Sequence, residues 1–386
     1  MDPTACPSAS RRSLGLVGLF LLFRVASVFA VEEPLEGGWV RFALTGRAYA
    51  VAEWGASSVL ESDHFWEVSR YDPGKALDGD PATAWVEGAP GPGIGETIVL
   101  AFSHYPEALG FINGFARNQN LFLRNHRVKE LNVRLYTALN VDGFATESVT
   151  FYDALPVGPA RPVVLKDVME PQRVLLPVSP SSARTAMEAF RTTEAVAGWS
   201  FPQAVTMGVD GGMGMPLRFR YILRLEIARV YRGTTWEDTC IAEIWPDFGE
   251  IEDVVVSDDM RRLLLTTSDG QQVPGYADFE SVLTLVELSR DKRWAIVIRE
   301  PAYLEPGEGR VSSEYAVIHT PTGRDMTAEI LAGAGVDGQA SILPFGFEEK
   351  EGVTWLLFDD DKGEERRAPC GPLYRTVGIT GTPAPP

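Results

Sequence analysis

The segment Tyr71–Glu96 reads YDPGKALDGDPATAWVEGAPGPGIGE and combines an acidic turn, a tryptophan and a glycine-rich loop. The turn Asp78-Gly79-Asp80-Pro81 has strong turn chemistry, because glycine allows a positive φ, proline fixes the next φ and aspartate side chains accept bonds from nearby amides. Thr83 and Trp85 follow two residues apart, so both side chains lie on one side of the strand that begins here. The pattern predicts a tight acidic bend that leads into a β-strand.

The acidic bend also has the residue types of a cation site. Asp78, Asp80 and Thr83 place hard oxygen atoms on one short loop. Calcium takes six to eight oxygen ligands at roughly 2.3–2.6 Å, and backbone carbonyls can complete the set. We therefore predict a structural Ca2+ ion at this bend.

Further motifs follow the bend in chain order. LDGDPATAW is continued by WVEG and GIGE, then by INGFARNQNLFLRNHRVKELNV (Ile112–Val133) and DTCIAEI (Asp238–Ile244). Together they resemble discoidin-like, galactose-binding β-sandwich modules, and most closely the translocation domain of secreted bacterial NAD glycohydrolases. The resemblance implies a discoidin-like antiparallel β-sandwich (jelly roll) that binds glycans. It also implies that Glu243 closes the calcium shell against the acidic bend, with a surface glutamate opposite an arginine as the alternative.

Polar side chains are concentrated between Ala116 and Arg127, where amides and guanidinium groups alternate with an aromatic ring. Sugar hydroxyls bind paired donors and acceptors beside an apolar platform. A polar surface loop whose amides cap its own backbone is the alternative. The residues that we predict to contact a glycan are Trp85, Glu87, Asn113, Phe115, Asn118, Asn125 and Arg127.

Other segments have the sequence patterns of strands and of one helix. Leu217–Tyr231 alternates apolar and charged residues, which predicts a long half-buried strand. Ser181–Ala197 has the composition of a helix, and Gly198 ends it. After Pro246–Glu252, strand-turn-strand patterns resemble the blades of a propeller. Roughly 120 residues hold too few blades to close a ring, so a small antiparallel β domain is expected.

These patterns divide the chain into four predicted parts. They are a signal peptide at 1–30, a discoidin-like sandwich at 31–249 with a helical insertion near 181–197, a small β-hairpin-rich domain at 250–377 and a disordered tail at 378–386. The leader has Arg11 and Arg12 before an apolar run and small residues up to Ala30, which is typical of a secretory signal. The apolar run is too short to span a bilayer. We expect an exported protein with no transmembrane span after processing, in the periplasm, at the cell surface or secreted.

Charge and cysteine content limit the classes of partner. The formal net charge of the 386 residues is -18. Nucleic-acid binding needs clustered lysine and arginine, so the charge argues against nucleic acid as a partner. Cys240 and Cys370 remain after removal of the leader, and they form either one disulfide or two buried thiols.

The sequence has no convincing catalytic constellation. The motifs GxSxG, HExxH and the Walker loop are absent, and the four histidines are scattered along the chain. We therefore predict a non-catalytic, calcium-stabilised carbohydrate-binding protein whose partner is a glycan or glycoconjugate. The alternative is an envelope scaffold that binds another protein with the same fold.

Overall fold

The computed structural model describes residues 32–47, 53–62, 70–141, 149–199, 217–278, 280–302, 313–336, 342–351, 353–360 and 362–370. The predicted signal peptide and the predicted tail lie outside these residues. Within them, no helix has both the length and the apolar composition to cross a membrane.

The first thirteen strands form a β-sandwich. They are β1 (Glu32–Pro34), β2 (Val40–Leu44), β3 (Gly46–Arg47), β4 (Glu53–Ala56), β5 (Trp85–Val86), β6 (Thr97–Phe102), β7 (Ala108–Asn113), β8 (His126–Val141), β9 (Thr150–Pro156), β10 (Arg161–Val164), β11 (Gln172–Leu175), β12 (Leu217–Tyr231) and β13 (Thr239–Asp247). One layer has the strand order β1-β2-β9-β8-β12-β6-β4-β3, and β10 also pairs with β8. The other layer has the order β11-β7-β13-β5. The layers are joined where the start of β13 pairs in parallel with the start of β8.

Alternating residues of both layers fill the space between them. Leu223 and Leu225 of β12 are fully buried, as are Phe111 of β7 and Ile241 of β13, and all belong to one apolar cluster. Trp85 is also fully buried in this cluster. Because successive side chains of a strand point to opposite faces, β12 directs its intervening arginines away from this core. The predicted strand Leu217–Tyr231 has the same bounds in the structure.

The segment predicted as one helix forms two. The helices are α1 (Gln119–Arg124), α2 (Pro180–Arg191), α3 (Glu194–Ala197) and, further along the chain, α4 (Thr327–Gly333); 3-10 turns occupy Glu36–Gly38 and Pro73–Ala76. The hydroxyl of Ser179 caps α2, and that of Thr193 caps α3. A threonine hydroxyl that bonds to backbone amides competes with helix continuation, which explains the break between α2 and α3. Phe190 of α2 is buried in the sandwich core.

Three small antiparallel sheets follow the sandwich. The first has β14 (Ile251–Val256), β15 (Arg262–Thr267) and β16 (Gln272–Ala277); the second has β17 (Ser281–Leu288), β18 (Trp294–Pro301), β19 (Glu314–His319) and β20 (Arg324–Asp325); the third has β21 (Leu343–Lys350), β22 (Val353–Asp359) and β23 (Glu365–Pro369). The prediction of an all-β chain with a second, small antiparallel β region is confirmed.

Two turns in this region have the same side-chain chemistry. After β14, the hydroxyl of Ser257 accepts a bond from the amide of Arg262 at 3.1 Å. After β17, the hydroxyl of Ser289 accepts a bond from the amide of Trp294 at 2.9 Å. In each turn the serine also bonds to an aspartate two residues later. The repeated sequence pattern therefore encodes a repeated hairpin turn.

The small sheets pack against the sandwich through an apolar interface. Ile112, Ala242 and Trp245 of the sandwich share a cluster with Trp294 and Ile296 of β18. The indole of Trp245 lies directly over its partner in the strand pair, Gly110. Cys240 and Cys370 are both buried and free, so the second of the two cysteine alternatives describes this structure.

Candidate functional site

A cavity of about 300 Å³ lies at the end of the sandwich where β12 leads into β13. Its walls come from the glycine-rich loop after β5, the start of β8 and the loop between β12 and β13. The lining residues are Pro92, His126, Arg232, Gly233, Thr234, Thr235, Trp236 and Glu237. This set combines an aromatic ring with hydroxyl, imidazole, guanidinium and carboxylate groups, which are the groups that bind sugars.

Helix α1 holds the loop that forms most of the cavity. The amide of Thr234 donates to the carbonyl of Leu123 at 3.0 Å, and the amide of Trp236 donates to the carbonyl of Arg124 at 3.0 Å. The Arg124 guanidinium lies 3.9 Å from the centroid of the Trp236 ring. The loop is thus fixed by backbone bonds, and its tryptophan by a cation–π contact.

Glycine is required where this loop meets the chain between α1 and β8. A Cβ atom on Gly233 would lie 2.4 Å from the carbonyl oxygen of Arg124 and 2.5 Å from that of Asn125. The Gly233 amide donates to Nδ1 of His126 at 3.1 Å. The imidazole is therefore held by the loop as well as by its own strand.

Three of the predicted glycan contacts lie in the interior. Trp85, Glu87 and Asn113 each have no exposed surface. The indole of Trp85 donates to the carbonyl of Ser58 at 3.0 Å. The amide side chain of Asn113 exchanges two bonds with the backbone of Val128, at 2.9 and 2.7 Å. Direct glycan contact would require these side chains to leave their present bonds.

Glu87 connects two walls of the cavity. Its carboxylate accepts from the amide of Thr239 at 3.0 Å and from the amide of Ala89 at 2.8 Å. The glycine-rich loop packs on it so closely that a Cβ atom on Gly93 would lie 2.5 Å from its Cδ. Burial raises the pKa of Glu87 to about 7, although both backbone bonds lower it and the nearby carboxylate of Asp238 raises it.

Two other predicted contacts support α1. Asn118 is exposed and caps the helix by accepting from the amide of Leu121 at 2.9 Å. Asn125 follows the last residue of α1, is buried, and donates from its side chain to the carbonyl of Leu121 at 2.9 Å. Phe115 is half-buried and packs against an apolar cluster that contains Cys240. For Asn118 and Asn125, the structure shows the side-chain capping that the sequence left as an alternative.

Arg127 is buried and is the centre of a polar network. Its guanidinium makes two bonds to the carboxylate of Asp167, at 2.8 and 2.7 Å. Its Nη1 donates to the carbonyls of Asn125, at 3.0 Å, and Arg232, at 3.2 Å. Because Arg232 belongs to the loop that lines the cavity, its bond to the buried Arg127 side chain fixes the position of that loop. Glycan contact by the seven predicted residues stays a prediction, and their observed partners are within the protein.

The sequence interpretation missed the residues that line the cavity. The segment RGTTWEDT (Arg232–Thr239) places a tryptophan among polar residues between two strands. That composition is a usable signal, because an exposed loop seldom carries a large aromatic side chain without a partner.

The acidic bend is built from hydrogen bonds within the bend. The Oγ1 of Thr83 lies 3.0 Å from both carboxylate oxygens of Asp78, 3.0 Å from the carbonyl of Asp80 and 3.2 Å from that of Lys75. Asp78 and Asp80 each accept a bond from the amide two residues further along. The Lys75 ammonium also lies 3.3 Å from the Asp78 carboxylate.

Glu243 lies close to the carboxylate of Asp78 in this bend. It is buried, and its pKa is raised far above the ordinary value, first by burial and then by the neighbouring carboxylate of Asp78. Its Oε1 has no hydrogen-bond partner among the described residues. The Arg324 guanidinium lowers the pKa of Glu243 and so supplies positive charge to the same place.

A calcium ion at the bend stays a prediction. Four oxygen atoms converge on the hydroxyl of Thr83, and the cations present are the side chains of Lys75 and Arg324. Across the described ranges, no three His, Cys, Asp or Glu side chains are grouped as a metal ion needs. A hydroxyl carries one proton, so Thr83 can donate to only one of these four oxygen atoms, and calcium takes six to eight oxygen ligands that can include backbone carbonyls.

The two-layered sandwich with loops at one end is a discoidin-like fold. Residues 47–154 match the family model of the NAD glycohydrolase translocation F5/8 type C domain. The predicted resemblance is therefore confirmed for residues 47–154. The match includes the acidic bend, α1 and the start of β8, whereas Glu243 and the cavity loop lie beyond its end.

Solved structures show weak similarity. A cryo-EM structure of the arabinofuranosyltransferase AftD from Mycobacteria is 14% identical with a TM-score of 0.22, over 69% of this chain and 14% of that chain. A crystal structure of the F5/8 type C domain of a Bacteroides fragilis protein is 11% identical with a TM-score of 0.22, over 54% of this chain and 95% of that chain. These values support no statement about function. No curated protein sequence matches the chain.

Proposed function

We propose that this chain is an exported, non-catalytic carbohydrate-binding protein that holds its ligand in the cavity around Trp236. The observation that carries the proposal is the composition of that cavity, in which one half-buried aromatic ring lies among polar side chains. The matched family is a translocation domain of an NAD glycohydrolase, which is distinct from a catalytic domain. The leader-like segment at 1–30 supports export.

Trp236 provides the platform for a sugar ring. Arg124 covers one face of the indole at 3.9 Å, so we expect the ligand to stack on the opposite face. The exposed hydroxyls of Thr234 and Thr235 can donate to and accept from sugar hydroxyls. Arg232 and Glu237 add one donor group and one acceptor group at the rim.

The buried polar network favours a cavity of fixed shape. The buried Glu87 carboxylate accepts a bond from the amide of Thr239, and the buried Arg127 guanidinium donates to the carbonyl of Arg232. Each bond fixes one wall of the cavity. A site that is already ordered loses less conformational entropy when its ligand binds. Such support is useful in a small cavity, because few hydrogen bonds and one stacked ring provide modest net free energy against water.

A glycan array with matched variants tests the proposal. Wild-type protein without the leader should bind a defined set of glycans, and Trp236→Ala should reduce that binding at least tenfold at an unchanged melting temperature. Trp355→Ala is the control, because Trp355 is also half-buried beneath an arginine, with Arg367 5.4 Å from its ring centroid, but lies on β22.

Two results would overturn the proposal. One is an array on which wild-type protein binds no glycan. The other is a Trp236→Ala variant that binds as the wild type does. Recovery of one stoichiometric envelope protein, unaffected by sugars, together with a blank array would establish the scaffold alternative instead.

A further inference from the structure

His126 is the buried member of the residues that line the cavity, with 7% of its surface exposed. Its Nδ1 accepts a bond from the amide of Gly233 at 3.1 Å. In a neutral imidazole one ring nitrogen accepts and the other carries the proton, so this bond places the proton on Nε2.

The Nε2–H group of His126 is available to a ligand. Within the described part of the chain Nε2 has no hydrogen-bond partner, and it is not among the unpartnered side-chain atoms that the protein encloses completely. A buried polar group normally finds a partner inside the protein or in a bound molecule. Because His126 lines the cavity, the partner for this N–H group has to come from the cavity.

Arg232 adds a second cavity group that can only donate. Its backbone carbonyl accepts a bond from the buried Arg127 side chain at 3.2 Å, which fixes its place in the loop. Its own guanidinium has no hydrogen-bond or ion-pair partner among the described residues, and the residue is exposed. A guanidinium has N–H donors and no acceptor.

The charge of the cavity differs from the charge of the whole chain. The 386 residues have a formal net charge of -18, whereas Arg232 and Glu237 balance each other among the lining residues. The Arg124 guanidinium, 3.9 Å from the centroid of the Trp236 ring, adds positive charge beside the cavity. A ligand with a negative charge therefore meets less repulsion here than the average charge of the chain implies.

We propose that the cavity selects acidic glycans, whose carboxylate accepts bonds from Nε2–H of His126 and from the guanidinium of Arg232. This inference rests on the proposed function and names its class of ligand. An ionised carboxylate only accepts, and its two oxygen atoms can serve two donor groups. Hydrogen bonds to an ionised acceptor are also stronger than those to a neutral one. A sugar hydroxyl in the same place would leave its own proton without an acceptor from either residue.

Matched pairs of ligands test the inference. The probes are oligosaccharides that end in glucuronic, galacturonic or sialic acid, each compared with its own methyl ester. The ester keeps the ring and its hydroxyls and removes only the negative charge. In titration calorimetry at neutral pH and constant ionic strength, wild-type protein should bind at least one acid about tenfold more tightly than the ester of that acid.

Two variants assign this preference to the two donors. His126→Asn keeps a side-chain oxygen that can accept from the Gly233 amide but has no group at the position of Nε2. Arg232→Gln removes the charge and breaks no bond of the guanidinium within the described residues. Each variant should bind acid and ester with similar affinity at an unchanged melting temperature. Arg161→Gln is the control, because it removes another exposed arginine without a partner there, from β10, and should keep the preference.

Equal binding of acids and esters by the wild type would refute the inference, and so would a preference for acids that persists in either stable variant. The Arg232→Gln result decides the matter if His126→Asn is unstable. Neutral glycans that bind through Trp236 with no preference for acids would remove this inference and leave the proposed function in place. An absence of any glycan binding would remove both.

Discussion

Glu87 should give the protein a distinctive pH dependence of stability. Burial is the main reason that its pKa is about 7, against 4.5 for an ordinary glutamate. Each pKa unit is worth about 1.4 kcal/mol, so the difference amounts to about 3 kcal/mol. The folded protein binds this proton more tightly than the unfolded chain does. The contribution is therefore fully present below pH 4.5 and is lost as the pH rises through about 7.

Urea unfolding of the wild type and of Glu87→Gln, at a series of pH values from below 4.5 to above 7, measures this pH-dependent contribution to stability. The amide does not titrate, so the variant should gain about 3 kcal/mol relative to wild type between the acid and alkaline ends of the series. Asp259→Asn is the control. The hydrogen bond from Ser257 lowers the pKa of Asp259 below 3.8, so its contribution has the opposite sign and changes only at lower pH. Parallel profiles for wild type and Glu87→Gln would refute the reasoning.

Two further substitutions test the packing and the cavity support. Gly110→Ala should lower the free energy of unfolding by about 1–3 kcal/mol, because the new Cβ would lie 1.8 Å from Cε2 of Trp245. Gly346→Ala, also in a strand but with open space around its Cβ, is the control, and equal urea midpoints would contradict the prediction. Arg127→Ala should cost about 1–3 kcal/mol and weaken glycan binding as well, because it removes the hydrogen bonds of a buried guanidinium to Asp167 and to the carbonyl of Arg232 in the cavity loop. Lost binding at wild-type stability would instead identify Arg127 as a direct contact.

Local patterns were sufficient to predict the fold class. The alternation in Leu217–Tyr231 identified a strand with its observed bounds, because burial of one face imposes a period of two on the sequence. The turn chemistry of Asp78-Gly79-Asp80 likewise predicted the tight bend that the structure shows. Both features depend on residues close together in the chain.

The site depended on contacts that no local pattern encodes. Asn113 has the composition of a sugar contact, but it pairs with the backbone of Val128 because of where β7 and β8 lie relative to each other. The cavity forms because Thr234 bonds to Leu123 across a long separation in sequence. The side chain that packs on Gly79 of the acidic bend likewise comes from Arg324, which follows the sandwich in the chain.

The most direct test of the account is a crystal structure of the protein with the glycan that binds it most tightly on the array. The account predicts a sugar ring stacked on Trp236, with its hydroxyls bonded to the side chains between Arg232 and Glu237. A glycan bound at the acidic bend, or on any surface away from this cavity, would contradict it.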